Sequence, residues 1–312
     1  MKVLVVCSFN HGRISTFIRQ QIESLQCLGI EIDFFLIQGK GITGYLSNLP
    51  RFIKRIHIFK PDLIHAHYGL SGVLSVLQHR VPVITTFHGS DINVKEIRIL
   101  SRMANRLSSW SVFVSQELAN LTRAKKNFSV IPCGIDLTIF SPFDKFSARQ
   151  KLGYAREGKL VLFSGSFSNK VKNYPLAIEA IDQLNLASRL NPLVKLIELE
   201  NYSREEVNLL LNACDVALLT SFSEGSPNFI KEALACNRPV VSTDVGDVKN
   251  MIEHVNGCFI AEANPVDIAN KIKMAIEYPE TKNGRQRIFD LGLDLQTVTC
   301  KILKLYNEVL YK

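Results

Sequence analysis

Short apolar runs rich in β-branched residues alternate with amphipathic stretches almost from end to end, the pattern of parallel sheets covered by helices. In the first half these runs predict strands at residues 2–7, 32–37, 63–66, 83–87, 111–114 and 129–131; the second half restarts with strands at 160–164, 194–199, 216–219, 240–242 and 258–260. The clearest helix is the first: Ser15 is a candidate cap, Ile18, Ile22, Leu25 and Leu28 form one stripe, and Gly29 stops it. Between the halves runs IPCGIDLTIFSP, an extended segment punctuated by Pro132, Gly134 and Pro142. The expected architecture is α/β: two Rossmann-like, doubly wound domains, 1–145 and 146–290, facing across a cleft at the carboxyl ends of their strands. A last helical stretch, 284–312, has no strand after it, and residues 291–312 are a candidate to cross back to the N-terminal domain.

Length agrees with this division, since 312 residues exceed one ordinary core of about 100–150. Hydrophobic residues at 46% and charged residues at 21% exclude a disordered chain. The 7 cysteines are scattered without a CxxC pair, which reads as reduced packing residues of a cytoplasmic protein. No apolar run approaches the roughly 18 residues of a membrane span, and MKVLVVCSFNHGR turns polar too soon for a signal peptide. Charge is divided unequally: residues 1–150 hold 18 Lys/Arg against 9 Asp/Glu, the remainder 19 against 20. A basic N-terminal half suggests something anionic beside it. The segment LPRFIKRIHIFKPD, with Arg51, Lys54, Arg55 and Lys60 among apolar residues, and the helix bearing Lys95, Arg98, Arg102 and Arg106 mark it as a candidate for an anionic membrane surface. No nucleic-acid reading motif or aromatic platform accompanies the basicity.

Candidate chemistry lies just after strands. CSFNHGRIST carries Gly12 alone where a dinucleotide site needs three glycines, so NAD loses its support. His88, in HGSD at a strand end, is expected to project away from the core; a metal site from His65, His67, His88 and Asp91 is conceivable, but hydrogen-bonded packing is the stronger reading. In TSFSEGSPNFIKEALACNRP, Ser226 is a candidate N-cap and Pro227 a first helical residue, which opens the N–H groups of Asn228, Phe229 and Ile230 to an anion. Glu224 stands beside that mouth and Glu232 in the helix behind it, and GSFSNKVKNYPLA sets Lys170 and Lys172 after the turn glycine Gly165.

Taken together, the linker Pro132-x-Gly134-x-Asp136-x3-Phe140-x-Pro142, HGSD, the lysine turn and Glu224-x7-Glu232 resemble the retaining glycosyltransferases of family 4, which have the GT-B fold. The resemblance covers almost the whole chain. It implies a nucleotide diphosphate sugar donor held by the second domain and a glycan or lipid-linked acceptor held by the first, in surface polysaccharide or glycolipid assembly on the inner face of the membrane. It also implies that Glu224 bonds the donor sugar, Glu232 the ribose, the amides near Asn228 and Phe229 the sugar or diphosphate, and Lys172 the diphosphate. Gly12 would let the backbone approach the diphosphate, and His88 would touch the sugar. No cofactor and no metal are implied, and no Asp-x-Asp occurs. Three departures stand out: Ser166 where the family places arginine, with Lys170 as the candidate substitute; a strand-helix unit missing after residue 199; and a single glycine, Gly12, near the first helix. A nucleotide-sugar epimerase of the same fold and a non-catalytic nucleotide-sugar binder are the rival readings.

Overall fold

The computed structural model describes residues 1–10, 12–188 and 193–311. Among the described residues, eleven parallel strands form two sheets. The first contains β1 (Lys2–Ser8), β2 (Glu31–Ile37), β3 (Leu63–His67), β4 (Val83–Phe87), β5 (Trp110–Phe113) and β6 (Phe128–Val130), in the order β2-β1-β3-β4-β5-β6. The second contains β7 (Lys159–Phe163), β8 (Val194–Ile197), β9 (Val216–Leu219), β10 (Val240–Thr243) and β11 (Phe259–Ala261), in the order β11-β10-β9-β7-β8. Each sheet starts with a strand whose successor lies on one side and whose third member lies on the other. Ligands of doubly wound sheets bind at that reversal, here between β1 and β3 and between β7 and β9.

One compact unit comprises Met1–Gly134 and the Leu295–Leu310 helix, the other Ile135–Asp294. The change of unit comes about ten residues earlier than the sequence places it. Phe140 is wholly buried in the second core, and Asn212 receives the Phe143 amide at 2.8 Å, so residues 135–145 belong to the second unit. The Leu295–Leu310 helix buries Val298, Ile302, Leu305 and Tyr306 among Val3, Val5, Ile18 and Ile22 of the first unit. After β8, the Arg204–Ala213 helix leads directly back to β9, leaving β8 at the sheet edge.

Four local expectations are corrected. Ser15 occupies the N-cap of the Thr16–Cys27 helix without a side-chain cap bond; its hydroxyl lies by the Tyr68 phenol. Leu28 is 48% exposed because the helix ends at Cys27 and the chain turns through Gly29 at φ +82°. In the Leu49–Phe59 helix, Phe52 and Ile56 pack on the sheet, Arg55 pairs with Asp33 at 2.5 Å, and Arg51 donates to the Leu36 carbonyl at 2.7 Å. Its apolar stripe and two of its cations are therefore used internally. All seven cysteines are free, but Cys27 and Cys300 are exposed and so are not packing residues. No helix among the described residues is long and apolar enough to cross a membrane.

Two buried histidines make the first unit acid-sensitive. Burial pushes His65 down to about 3 from its ordinary 6.5, and His67 is lowered by burial and then by the neighbouring His65 and His88. The unfolded chain protonates both near 6.5, so their stabilisation is complete above that pH and is lost as pH falls toward the folded values. Below about pH 5.5 the loss should approach about 1.4 kcal/mol per pH unit for each histidine. Urea unfolding at stepped pH checks this: His65→Gln should show a shallower acid slope, and an unchanged slope would refute it.

Candidate functional site

The reversal between β7 and β9 assembles the first group of predicted residues. After β7 the chain turns at Gly165, where a Cβ would sit 3.3 Å from the Lys172 side chain; glycine leaves room for that stem. Asn169 caps the short 3-10 helix Lys170–Lys172 by accepting the Val171 amide at 3.1 Å. Lys172 Nζ then meets Glu224 Oε1 at 2.7 Å, and the Ser221 hydroxyl donates to the same oxygen at 2.7 Å. Lys172 and Glu224 remain 18% and 17% exposed, so this pair is reachable by a ligand but partly desolvated.

Neighbouring loops hold the pair in place. Thr220 Oγ1 donates to the Lys172 carbonyl at 2.9 Å and Thr243 Oγ1 to the Ser221 carbonyl at 3.1 Å. Gly246, at φ +59°, approaches so closely that a Cβ would lie 2.6 Å from the Gly225 carbonyl oxygen. Such stitching preorganises a charged group before any substrate arrives. A cavity of about 740 Å³ opens beside it, at the ends of β9, β10 and β11, with Ser221, Phe222, Asp244, Glu262 and Lys271 in its walls.

The following helix starts one residue later than expected, at Asn228, with Pro227 as N-cap. Ser226 does not cap it: its hydroxyl donates to Asp247 Oδ2 at 2.7 Å. Nor is the Ile230 amide open, because it donates to the Pro227 carbonyl at 3.2 Å. Asn228 and Phe229 hold the first two helical positions, which have no carbonyl inside the helix to receive their amides. Sequence reasoning passed over Lys231, which is fully buried behind this mouth with Nζ 3.3 Å from Asn228 Oδ1 and 3.4 Å from the Ser226 carbonyl. Glu232 is 4% exposed, not a surface residue, and accepts from Arg204 Nη1 at 2.6 Å. Arg204 was also passed over; its guanidinium lies 4.4 Å from the centre of the Phe140 ring. The available signal was the Ser203-x-x-Glu206 capping box that starts its helix. Ser166 donates to Glu198 at 3.1 Å, and Lys170 is exposed.

Gly12 and His88 lie in the first unit. Gly12 is an exposed turn residue at φ +69° whose amide donates to the Phe9 carbonyl. His88 follows β4 and is half-buried. Its Nε2 lies 3.0 Å from His67 Nδ1, its Nδ1 3.7 Å from Cys133 Sγ, and its ring packs against Phe17 and Tyr68. The wholly buried His67 ring thus takes a partner from the adjacent strand end. His65 uses both nitrogens, on Tyr306 and Thr86, and both Asp91 oxygens accept backbone amides, from Gly69, His88 and Gly89. These residues therefore form hydrogen-bonded packing, and no metal-holding group is assembled among the described residues.

Residues 5–139 match the family described as Glycosyltransferase Family 4, and residues 158–277 the family described as Glycosyl transferases group 1. The glycosyltransferase TuaC of Bacillus subtilis, named for teichuronic acid biosynthesis, is 30% identical over 215 residues, 61% of this chain and 55% of TuaC; the chain thus spans about half of that relative. A D-inositol 3-phosphate glycosyltransferase of Thermobispora bispora is 26% identical over 77% of this chain and 68% of its own. Among solved structures, sucrose-phosphate synthase of Thermosynechococcus elongatus superposes with a TM-score of 0.84 at 18% identity, covering 99% of both chains. Anabaena HepE, solved with UDP, gives 0.77 at 19% identity, covering 99% of this chain and all of that one. Two parallel Rossmann-like sheets, matched in fold over nearly their whole length and in sequence by two family descriptions that together span most of it, place this chain in the family 4 and group 1 glycosyltransferases of GT-B fold.

Proposed function

We propose that the chain transfers a sugar, with retention and without a metal, from a nucleotide diphosphate donor to a hydroxyl of a glycan or lipid-linked acceptor. The observation that carries this reading is the Lys172–Glu224 pair, held at 2.7 Å at the reversal of the second sheet. In the ligand-free state each charge neutralises the other. A donor diphosphate would draw Lys172 to itself and release Glu224 for the sugar hydroxyls. As the bond to the sugar loosens, negative charge grows on the leaving diphosphate, and Lys172 with the Asn228 and Phe229 amides can stabilise it. Buried Lys231 adds positive charge behind the same helix mouth. Glu232, oriented by Arg204, is suited to the ribose hydroxyls. Attack from the leaving-group face requires no protein nucleophile, in keeping with an oxocarbenium-like transition state. HepE was solved with UDP-glucose, which supports a donor of that type, and the name of TuaC, which points to teichuronic acid biosynthesis, supports a role in polysaccharide assembly.

A thermal-shift screen of nucleoside diphosphates and their sugars, followed by turnover assays, tests the reading. A ligand at 100 times its dissociation constant stabilises by about 2.7 kcal/mol. UDP-type ligands should raise Tm, Glu232→Gln should weaken that shift more than it slows chemistry, and turnover should persist in EDTA. No shift from any nucleotide would overturn the proposal. Donor binding with no turnover on any acceptor would favour the non-catalytic reading, to which Ser166, in place of arginine and bonded to Glu198, lends some weight.

A further inference from the structure

The cavity of about 740 Å³ at the ends of β9, β10 and β11 lies to one side of the β7–β9 reversal. The candidate donor residues Lys172, Glu224, Asn228, Phe229 and Glu232 are not among its described lining residues. Its buried side is fixed before any ligand arrives. Thr220 and Thr243 each donate their hydroxyl hydrogen to a backbone carbonyl, of Lys172 and of Ser221, so what their oxygens still offer a ligand is lone pairs.

The outer walls add further acceptors. Asp244 follows β10 and Glu262 follows β11, and both are exposed. Asp267 stands in the first turn of the Pro265–Ile276 helix, where its Oδ2 accepts the Glu262 amide at 2.8 Å. Lys271, about one turn further on, is the one cation among the described lining residues. A separate observation concerns Phe222, whose side chain is 71% exposed at the cavity although its amide is held by the Val171 carbonyl at 2.9 Å. Val171 itself is 48% exposed. A ring left in water on a backbone that is hydrogen-bonded in place contributes little to folding; beside a cavity it offers an apolar plate to a ligand.

These features select among ligands. A nucleotide or other phosphate would meet three carboxylates and one lysine. A wholly apolar chain would strip water from those carboxylates without replacing their hydrogen bonds. A ligand with many O–H donors around an apolar face suits both the acceptors and the ring, and pyranose sugars have that build, with hydroxyls at the rim and C–H groups across the face.

We infer that this cavity is a second saccharide site, separate from the donor site, for a glycan segment free of acid groups. Phe222 carries the face of one sugar ring, and Asp244 and Glu262 accept its hydroxyls in charge-assisted bonds. The site goes beyond the proposed transfer, because it holds glycan without reacting with it, and its occupancy is measured without turnover.

The test titrates the full chain calorimetrically with cellotriose, whose equatorial hydroxyls leave both ring faces apolar, with trigalacturonate and n-hexylammonium as controls. Cellotriose should bind at least about tenfold more tightly than either control. Phe222→Ala, and the double change Asp244→Asn with Glu262→Gln, should each weaken it about tenfold or more, the loss expected for a stacked ring and for charge-assisted bonds. All three side chains stand in solvent, so Tm and the UDP-induced thermal shift should stay at their wild-type values. Glu224→Gln should leave cellotriose binding intact; its loss there would put the sugar in the donor site and overturn the assignment. Cellotriose binding no tighter than that of trigalacturonate, or unmoved by both sets of changes, also overturns it, as does hexylammonium binding of equal strength, which would mark a cation site. A failed donor screen with cellotriose still bound refutes the transferase reading alone, and donor turnover without cellotriose binding refutes the second site alone.

Discussion

Lys172→Ala and Glu224→Gln should each lower sugar transfer about 10²–10³-fold while the fold stays intact, the usual loss when one preorganised charge-stabilising contact is removed. Both side chains are less than one-fifth exposed and contact each other, so the second change reports on the first. Lys172→Ala removes the counter-charge for the leaving diphosphate and leaves Glu224 with Ser221 among its remaining partners. Glu224→Gln keeps the shape and hydrogen-bonding capacity but not the charge. Two residues serving one transition state should lose less together than the sum of their separate losses. Steady-state kinetics of both single variants and the double variant, with circular dichroism as the folding control, check this. Near-wild-type turnover in either single variant would remove that residue from the mechanism.

The largest effect on stability should come from Asp215, which no motif singled out. It begins the approach to β9 at 4% exposure and neutralises three cations. Arg149, 2% exposed, donates to Oδ2 at 2.8 Å; Lys145 contacts Oδ1, and Lys159 lies 3.5 Å from it. The Leu160 amide also donates to Oδ2 at 2.8 Å, so the carboxylate ties β7 to the chain entering β9. Arg149 spends its other N–H groups on the carbonyls of Ala213, Arg156 and Gly158 and cannot swing out to water without breaking those bonds. Asp215→Ala therefore strands a buried guanidinium beside two ammonium groups, and losing one partner of a buried pair costs about 3–5 kcal/mol. Urea unfolding should show that loss in the second unit, with Asp215→Asn intermediate because it preserves the Leu160 contact. A loss under about 1 kcal/mol would mean that the cluster behaves as an exposed pair does.

Local order determined what the sequence could show by itself. The eleven strands among the described residues lie within about two residues of where alternation and β-branching place them, because side-chain periodicity belongs to the segment that carries it. The candidate donor residues were legible for a related reason: Lys172 and Glu224 follow strands, and in doubly wound sheets strand ends face ligands. Pairing across the chain was not legible. Lys172 and Glu224 are 52 residues apart, Arg204 and Glu232 are 28 apart, and Arg149 and Asp215 are 66 apart. Which of these meet depends on strand order and on how helices cross the sheet, and periodicity carries neither. The same reason explains His88, which the sequence set at a strand end without showing that its ring would meet His67, 21 residues away on the adjacent strand. It also explains the basic helices. Both read as basic, and only packing showed that the Leu49–Phe59 helix spends its stripe on the core while Ile99, Met103 and Leu107 remain in solvent.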